Sequence, residues 1–136
     1  MLLYYLLRQY PNRGDYETND NVATMVAIQT HDPIKANFIA LTKGIYFDGI
    51  AKGIDCSCCE DRWTALTVKS KGYNIPKFKN MTLVNYLKEW VEQSESLQCQ
   101  SGHTLAYIYY ADGTKEAMTV GNVRNRYHFF KFQHPS

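Results

Sequence analysis

The turn signal Asp112-Gly113 constrains the fold more than any other feature of this sequence. It separates two segments rich in apolar and aromatic residues, 104–110 and 114–120. Glycine after aspartate supplies the positive φ that a tight hairpin turn requires, so the two segments are predicted to be adjacent antiparallel strands. Apolar patterning predicts three further strands, at residues 2–10, 22–29 and 64–68.

Two segments have apolar residues at helical spacing. In the stronger one, residues 82–94, Thr82 is placed to cap the helix, and Leu87 and Trp90 lie on the apolar face. The other helix is predicted to begin at Asp32-Pro33 and to end at Gly44. Its apolar face comprises Ile34, Phe38, Ile39 and Leu41. The sequence therefore predicts an α+β fold, with two helices packed on an antiparallel sheet.

Length and composition set the broad class of the protein. A chain of 136 residues fits one domain spanning residues 1–136, and a hydrophobic content of 45% argues against global disorder. No apolar segment approaches the ~20 residues of a membrane span, and we expect no signal peptide. The cysteine spacing does not suggest a disulfide framework, which favours a reducing cytoplasm.

Three of the four cysteines fall within four residues, at Cys56, Cys58 and Cys59. Cys56 and Cys59 have the C-x2-C spacing of zinc sites, and Cys99 with His103 could complete a tetrahedral set of ligands. The competing interpretation is a tight loop whose cysteines are small packing residues, because free cysteine is among the most buried residue types. The sequence favours packing and leaves zinc open.

A reactive thiol is a third interpretation of the same loop. Arg62 could lower a thiol pKa locally, with His103 or His128 as the base, but no spacing selects one of them. Arg62 could equally pair with Asp55 or Asp61, while the neighbouring Trp63 enters the core.

Basic residues interleaved with aromatic residues occur in two segments. The candidate ligand-binding residues are Lys77, Lys79, Arg124, Arg126 and Tyr127. Single-stranded nucleic acid and nucleotides are bound by this combination of cations and stacking rings. The alternative is a solvated loop with its aromatic residues turned inward. A net charge of +2 is small for a protein that lives on nucleic acid.

Enzyme signatures are mostly missing from the sequence. It has no glycine-rich phosphate loop, no H-E-x-x-H and no G-x-S-x-G, and its carboxylates are scattered. A small nuclease or nucleotide hydrolase using loop carboxylates is therefore less favoured than a protein that acts without catalysis.

The string Asp-Cys-Ser-Cys-Cys-x-Asp-Arg-Trp at residues 55–63 resembles a group of small uncharacterised bacteriophage proteins. The preceding residues 44–49 and the hairpin at 109–114 share this resemblance, whereas Glu60 stands where glycine or proline is expected. The resemblance implies a viral accessory protein of the host bacterial cytoplasm. Its partner would be a host protein, such as an antiviral defence factor that it inhibits. The alternative is a zinc-stabilised nucleic-acid- or nucleotide-binding module.

Overall fold

The computed structural model of the chain describes residues 1–94 and 101–125. In chain order, the elements of these residues are β1 (Leu3–Arg8), β2 (Met25–Thr30), α1 (Pro33–Thr42), β3 (Lys77–Phe78), β4 (Met81–Thr82), α2 (Leu83–Gln93), β5 (Thr104–Tyr109), β6 (Lys115–Thr119) and α3 (Val120–Arg124). Within the described residues, four strands form one sheet in the order β1-β2-β5-β6, and β3 pairs with β4 in a small separate hairpin.

The main sheet is mixed. β1 runs antiparallel to β2, and β5 runs antiparallel to β6 across the predicted Asp112-Gly113 turn. The central pair, β2 and β5, is parallel, with Met25 opposite Ala106 and Ile28 opposite Tyr109. The α+β class is confirmed, but the prediction of a purely antiparallel sheet is wrong. A hairpin turn fixes only its own two strands, whereas the long connection from β2 to β5 permits parallel pairing.

Both faces of the sheet are buried. On one face α2 and α3 pack against the strands, with Leu87 and Val123 fully buried. On the other face α1 packs together with the loop around Trp63, which is 2% exposed. Strands covered on both faces are apolar along their whole length, and this explains the nearly continuous apolar character of β2.

The helix α2 begins as predicted, because the Thr82 hydroxyl accepts a hydrogen bond from the Asn85 amide at 3.2 Å. Leu87 is fully buried, as expected. Trp90 is only partly buried and packs at the margin of the core. Trp90 thus lies on the face of α2 that the sequence predicted to be apolar.

The helix α1 is capped by Asp32, whose carboxylate accepts from the Lys35 amide at 2.7 Å. Its buried face is not the predicted one. Ala36 and Ala40 face the sheet at 0% exposure, whereas Phe38 is 65% exposed. Because alanine side chains are small, they let this helix lie close to the sheet.

Residues 64–68 do not form the predicted strand. This segment is instead attached to α1 through the Asn37 side chain, which donates to the Leu66 carbonyl at 2.8 Å and accepts from the Leu66 amide at 2.9 Å. One side-chain amide thus takes the place of a neighbouring strand. Among the described residues, no helix is both long enough and apolar enough to span a membrane.

Candidate functional site

One continuous surface beside the edge strand β1 combines cations with aromatic rings. We call it the aromatic–basic surface. It consists of Arg8, Tyr10, Tyr16, Tyr73, Lys77, Phe78, Lys79, Tyr86 and Trp90. Two of the predicted ligand-binding residues, Lys77 and Lys79, belong to it.

Arg8 lies at the centre of this surface. As the last residue of β1, it points to the face that α2 covers, and its guanidinium carbon lies 5.4 Å from the Tyr10 ring centre and 5.3 Å from the Phe78 ring centre. Cation–π attraction of this kind holds an arginine in place without neutralising its charge. The nearby Phe78 and Tyr86 rings meet edge to face at 4.6 Å.

The β3–β4 hairpin carries the two lysines. Its turn residues Lys79 and Asn80 have φ values of 52° and 67°, as a two-residue type I′ turn requires. The turn places the Lys79 ammonium 5.3 Å from the Phe78 ring centre, while Lys77 lies 5.2 Å from the centre of Tyr73. Each lysine ammonium therefore lies beside an aromatic ring.

Several rings of the surface are open to solvent. Tyr10 is 41% exposed, Tyr16 is 36% exposed and Tyr73 is 38% exposed. Of the two aromatic residues in the basic segment 69–80, Phe78 turns inward and packs against the core, whereas Tyr73 does not. Exposed aromatic rings beside cations are able to stack on nucleic acid bases.

A cavity of about 80 Å³ opens in this surface, lined by Arg8, Tyr16, Tyr86 and Trp90 among others. The Arg8 Nε is buried and makes no hydrogen bond to any described residue. Within residues 1–94 and 101–125, no carboxylate lies within 4.0 Å of the Arg8 guanidinium. A volume of a few water molecules suits one anionic group, such as a phosphate.

The other predicted residues of the basic segments are placed less fully. Arg124 lies in the last turn of α3, on the same side of the sheet as α2, and Arg126 and Tyr127 lie outside the described residues. Sequence reasoning missed Arg8 and Tyr10, because both were assigned to a first strand. Their alternation of cation and aromatic ring, at the strand end, is the signal that could have found them.

The cysteine loop is a second candidate site. The sulfur atoms of Cys56, Cys58 and Cys59 all lie within 4.8 Å of one another, and this group could hold a metal ion. Cys58 and Cys59 are 3.8 Å apart at sulfur, and Cys56 and Cys58 are at disulfide distance, a pairing that the spacing had not suggested. His103 is not part of this group, and Cys99 lies outside the described residues.

Asp55 holds the cysteine loop against the core. Its buried carboxylate accepts hydrogen bonds from the Tyr46 hydroxyl at 2.7 Å and the Arg62 amide at 2.8 Å, and the Arg62 Nε lies 4.0 Å away. This is one of the pairings the sequence offered to Arg62. Burial, together with the hydrogen bond to Asp55, raises the pKa of Tyr46.

Gly49 makes this anchor sterically feasible. A Cβ atom at this position would lie 2.0 Å from the Asp55 Oδ2 and 2.8 Å from the Tyr46 ring. A compact loop between residues 45–47 and Trp63 is therefore present, and it depends on a glycine at its entry. The expectation that its cysteines are buried packing residues is wrong, because Cys58 is exposed and Cys56 and Cys59 are only partly buried.

Comparison with known proteins identifies one family. A domain of unknown function (DUF7296) matches residues 2–126 of the chain. No curated protein and no solved structure matches it.

Proposed function

The chain belongs to this family of unknown function, and we propose that it binds single-stranded nucleic acid through the aromatic–basic surface. The observation that carries the proposal is Arg8, a charged guanidinium held between two rings with no carboxylate beside it in the described part of the chain. A cation in this state is ready to receive a phosphate.

The arrangement of the surface supports a single strand as the ligand. Tyr10 offers an exposed ring beside Arg8 and Tyr73 one beside Lys77, while Lys79 lies beside Phe78. Unpaired bases stack on aromatic side chains without regard to sequence, and the cations follow the backbone. Bases in a duplex are already stacked on one another, so binding to double strands should be weaker.

The phage-type accessory role remains a proposal that rests on the sequence resemblance. A host protein as partner, and inhibition of an antiviral defence system, stay predictions of the same kind. The aromatic–basic surface supports nucleic acid as the partner because its cations lie beside rings that can stack on bases. Binding of this type needs no catalytic group.

Fluorescence anisotropy with labelled single-stranded DNA and RNA tests the proposal. If Arg8, Lys77 and Lys79 each neutralise one phosphate, the logarithm of the affinity should fall with the logarithm of salt concentration at a slope of about −2. Affinity should then drop about 20-fold between 50 and 200 mM salt. Absence of binding at the lower salt concentration would contradict the proposal.

Matched variants locate the binding surface. Lys79→Gln should weaken binding and reduce the salt slope by about 0.7, whereas the same change at the exposed Lys52 should leave both unchanged. Tyr73→Ala should cost about 1–3 kcal/mol of binding free energy through lost stacking, and Tyr73→Phe should bind like the parent protein. Equal effects of the Lys79 and Lys52 changes would show that binding is not confined to this surface.

Zinc binding by the cysteine loop is a second candidate function, favoured by the convergence of three sulfur atoms. The C-x2-C pair Cys56 and Cys59 would provide two ligands and Cys58 a third, with Cys99 as the candidate for the fourth position. Thiolate coordination and a Cys56–Cys58 disulfide exclude each other, since a bonded sulfur is no longer a thiolate.

Elemental analysis and thiol counting distinguish the two states. Zinc binding predicts one metal ion per chain in protein purified under reducing conditions, and a chelator should then lower stability. Cys59→Ser should abolish zinc binding, whereas Ser57→Ala in the same loop should preserve it. Metal-free protein that ignores the chelator would leave the loop with a packing role.

A further inference from the structure

A second cleft opens at the opposite end of the strands from Arg8. It has a volume of about 390 Å³, which lies within the usual range for sites of small organic ligands. Its floor is the carboxyl end of β2, and the neighbouring parallel strand β5 ends beside it at Tyr109. The carboxyl ends of adjacent parallel strands are where open sheets of this kind bind small molecules.

One face of α1 forms a wall of the cleft. Lys35, Ile39, Thr42 and Lys43 all line it, at the spacing that puts them on one side of the helix. The Lys43 ammonium lies 4.7 Å from the Tyr109 ring centre, so the charge is held over the cleft by a ring. His31 lines the cleft as well, just after β2.

The positive charge of this cleft is not neutralised within the described residues. None of its lining residues is acidic, and no carboxylate lies within 4.0 Å of Lys35 or Lys43. The two nearest acidic residues along the chain are otherwise engaged. Asp32 accepts from the Lys35 backbone amide, and Asp112 accepts from the Thr114 amide and hydroxyl.

The apolar surface of the cleft comes mainly from Ile39, which is partly exposed. Ile28 and Tyr109 are only 1% and 5% exposed, so they support the floor from below. The Tyr109 hydroxyl donates to the Asn21 carbonyl at 2.5 Å, and Lys43 lies over its ring. A suitable ligand therefore has an anionic group and a weakly polar part that can lie against Ile39.

We propose that this cleft is a binding site for a nucleoside phosphate, distinct from the aromatic–basic surface. Lys35 and Lys43 hold the phosphate, and the nucleoside lies against Ile39. Two lysines matched to one phosphate favour a monophosphate, linear or cyclic, over a triphosphate. The site binds its ligand and performs no covalent step.

Isothermal titration calorimetry at low salt, with a panel of linear and cyclic nucleoside monophosphates, tests this assignment. We expect saturable binding of one ligand per chain for at least one member of the panel. Lys35→Gln and Lys43→Gln should each weaken that binding about tenfold, because each removes one charge-assisted contact to the phosphate. Ile39→Trp, which fills the cleft, should abolish binding.

Reciprocal controls separate this site from the nucleic-acid surface. Lys79→Gln should leave nucleoside phosphate binding unchanged, and Lys35→Gln should leave oligonucleotide binding unchanged. Thermal melting of each variant in the absence of ligand checks that it folds. No heat of binding at millimolar ligand, or equal loss of binding in the Lys79 and Lys35 variants, would overturn the assignment.

Discussion

Replacement of Asp55 gives the sharpest test of how the cysteine loop is built. Its side chain is 1% exposed. The carboxylate accepts hydrogen bonds from the Tyr46 hydroxyl and the Arg62 amide, and it lies 4.0 Å from the Arg62 Nε. Asp55→Ala leaves two donors without their acceptor and removes the carboxylate 4.0 Å from the Arg62 Nε, although the Arg62 Nη1 keeps its bonds to Gln9 and to the Asp15 carbonyl. An unsatisfied buried donor costs about 1–3 kcal/mol, and breaking a buried ion pair from one side costs about 3–5 kcal/mol in all.

We therefore expect Asp55→Ala to lower the free energy of unfolding by about 3–5 kcal/mol. In a chain of this length, that loss corresponds to a fall in melting temperature of about 10–20 °C. Asp55→Asn keeps the shape and one acceptor oxygen, so its cost should be smaller, about 1–3 kcal/mol. The exposed Glu60 in the same loop provides the control, and Glu60→Ala should change stability by less than about 0.5 kcal/mol.

Urea denaturation under reducing conditions, followed by circular dichroism, measures these differences without interference from cysteine oxidation. A loss below about 1 kcal/mol for Asp55→Ala would refute the reasoning, since it would mean that water or another group satisfies the same donors. A loss for Glu60→Ala as large as that for Asp55→Ala would refute it too, because the effect would then not depend on burial.

Three further predictions concern the fold. Gly49→Ala should destabilise by more than about 2 kcal/mol in urea denaturation, because its Cβ would lie 2.0 Å from the Asp55 carboxylate, while Gly102→Ala, with open space around it, should be nearly neutral. Burial raises the pKa of Tyr109 to about 12, so the unfolded chain loses this proton first, and stability should fall between pH 10 and pH 12. Tyr109→Phe should reduce this loss of unfolding free energy between pH 10 and pH 12 by about 1–2 kcal/mol, as measured by denaturation at each pH. An equal loss in the variant and the parent protein would contradict the prediction. Trp90 is only partly buried, so Trp90→Ala should lower the free energy of unfolding by less than the loss of about 3–5 kcal/mol that is typical of a fully buried aromatic residue. A loss of that full size in urea denaturation would show that Trp90 contributes as much as a core residue.

Local signals in the sequence were reliable where one side chain acts on its own neighbours. Asp112-Gly113 predicted the β5–β6 hairpin, and Thr82 and Asp32 predicted the starts of two helices. Each of these signals works through a turn or a cap a few residues long, so no distant partner decides the outcome.

The errors arose where a distant partner decides. Phe38 is exposed because the alanines of α1, and not its large apolar residues, meet the sheet. Residues 64–68 lack a strand because Asn37 satisfies the backbone of Leu66. The parallel pairing of β2 with β5 depends on the path of the whole intervening chain, and no short motif records it.

The candidate sites follow the same division. The lysines of the β3–β4 hairpin could be identified from their own segment, and the three clustered cysteines from theirs. Arg8 reaches Phe78 from a strand 70 residues earlier in the chain, and Lys43 meets Tyr109 only because two strands run parallel. Such neighbours become visible only once the sheet order is known.

The modest net charge of +2 is a poor guide to this protein because the charge is distributed in separate groups. Arg8 lies beside Met25 at the amino end of β2, whereas the cleft that contains Lys35 and Lys43 opens at the carboxyl end of the same strand. A strand of six residues separates the two ends by about 20 Å. That distance exceeds the Debye length of about 8 Å at physiological salt, so each group acts on its own ligand with little influence from the other. A single strand at one end and a nucleoside phosphate at the other could therefore be bound at the same time, and saturating the cleft should leave the affinity for oligonucleotides unchanged.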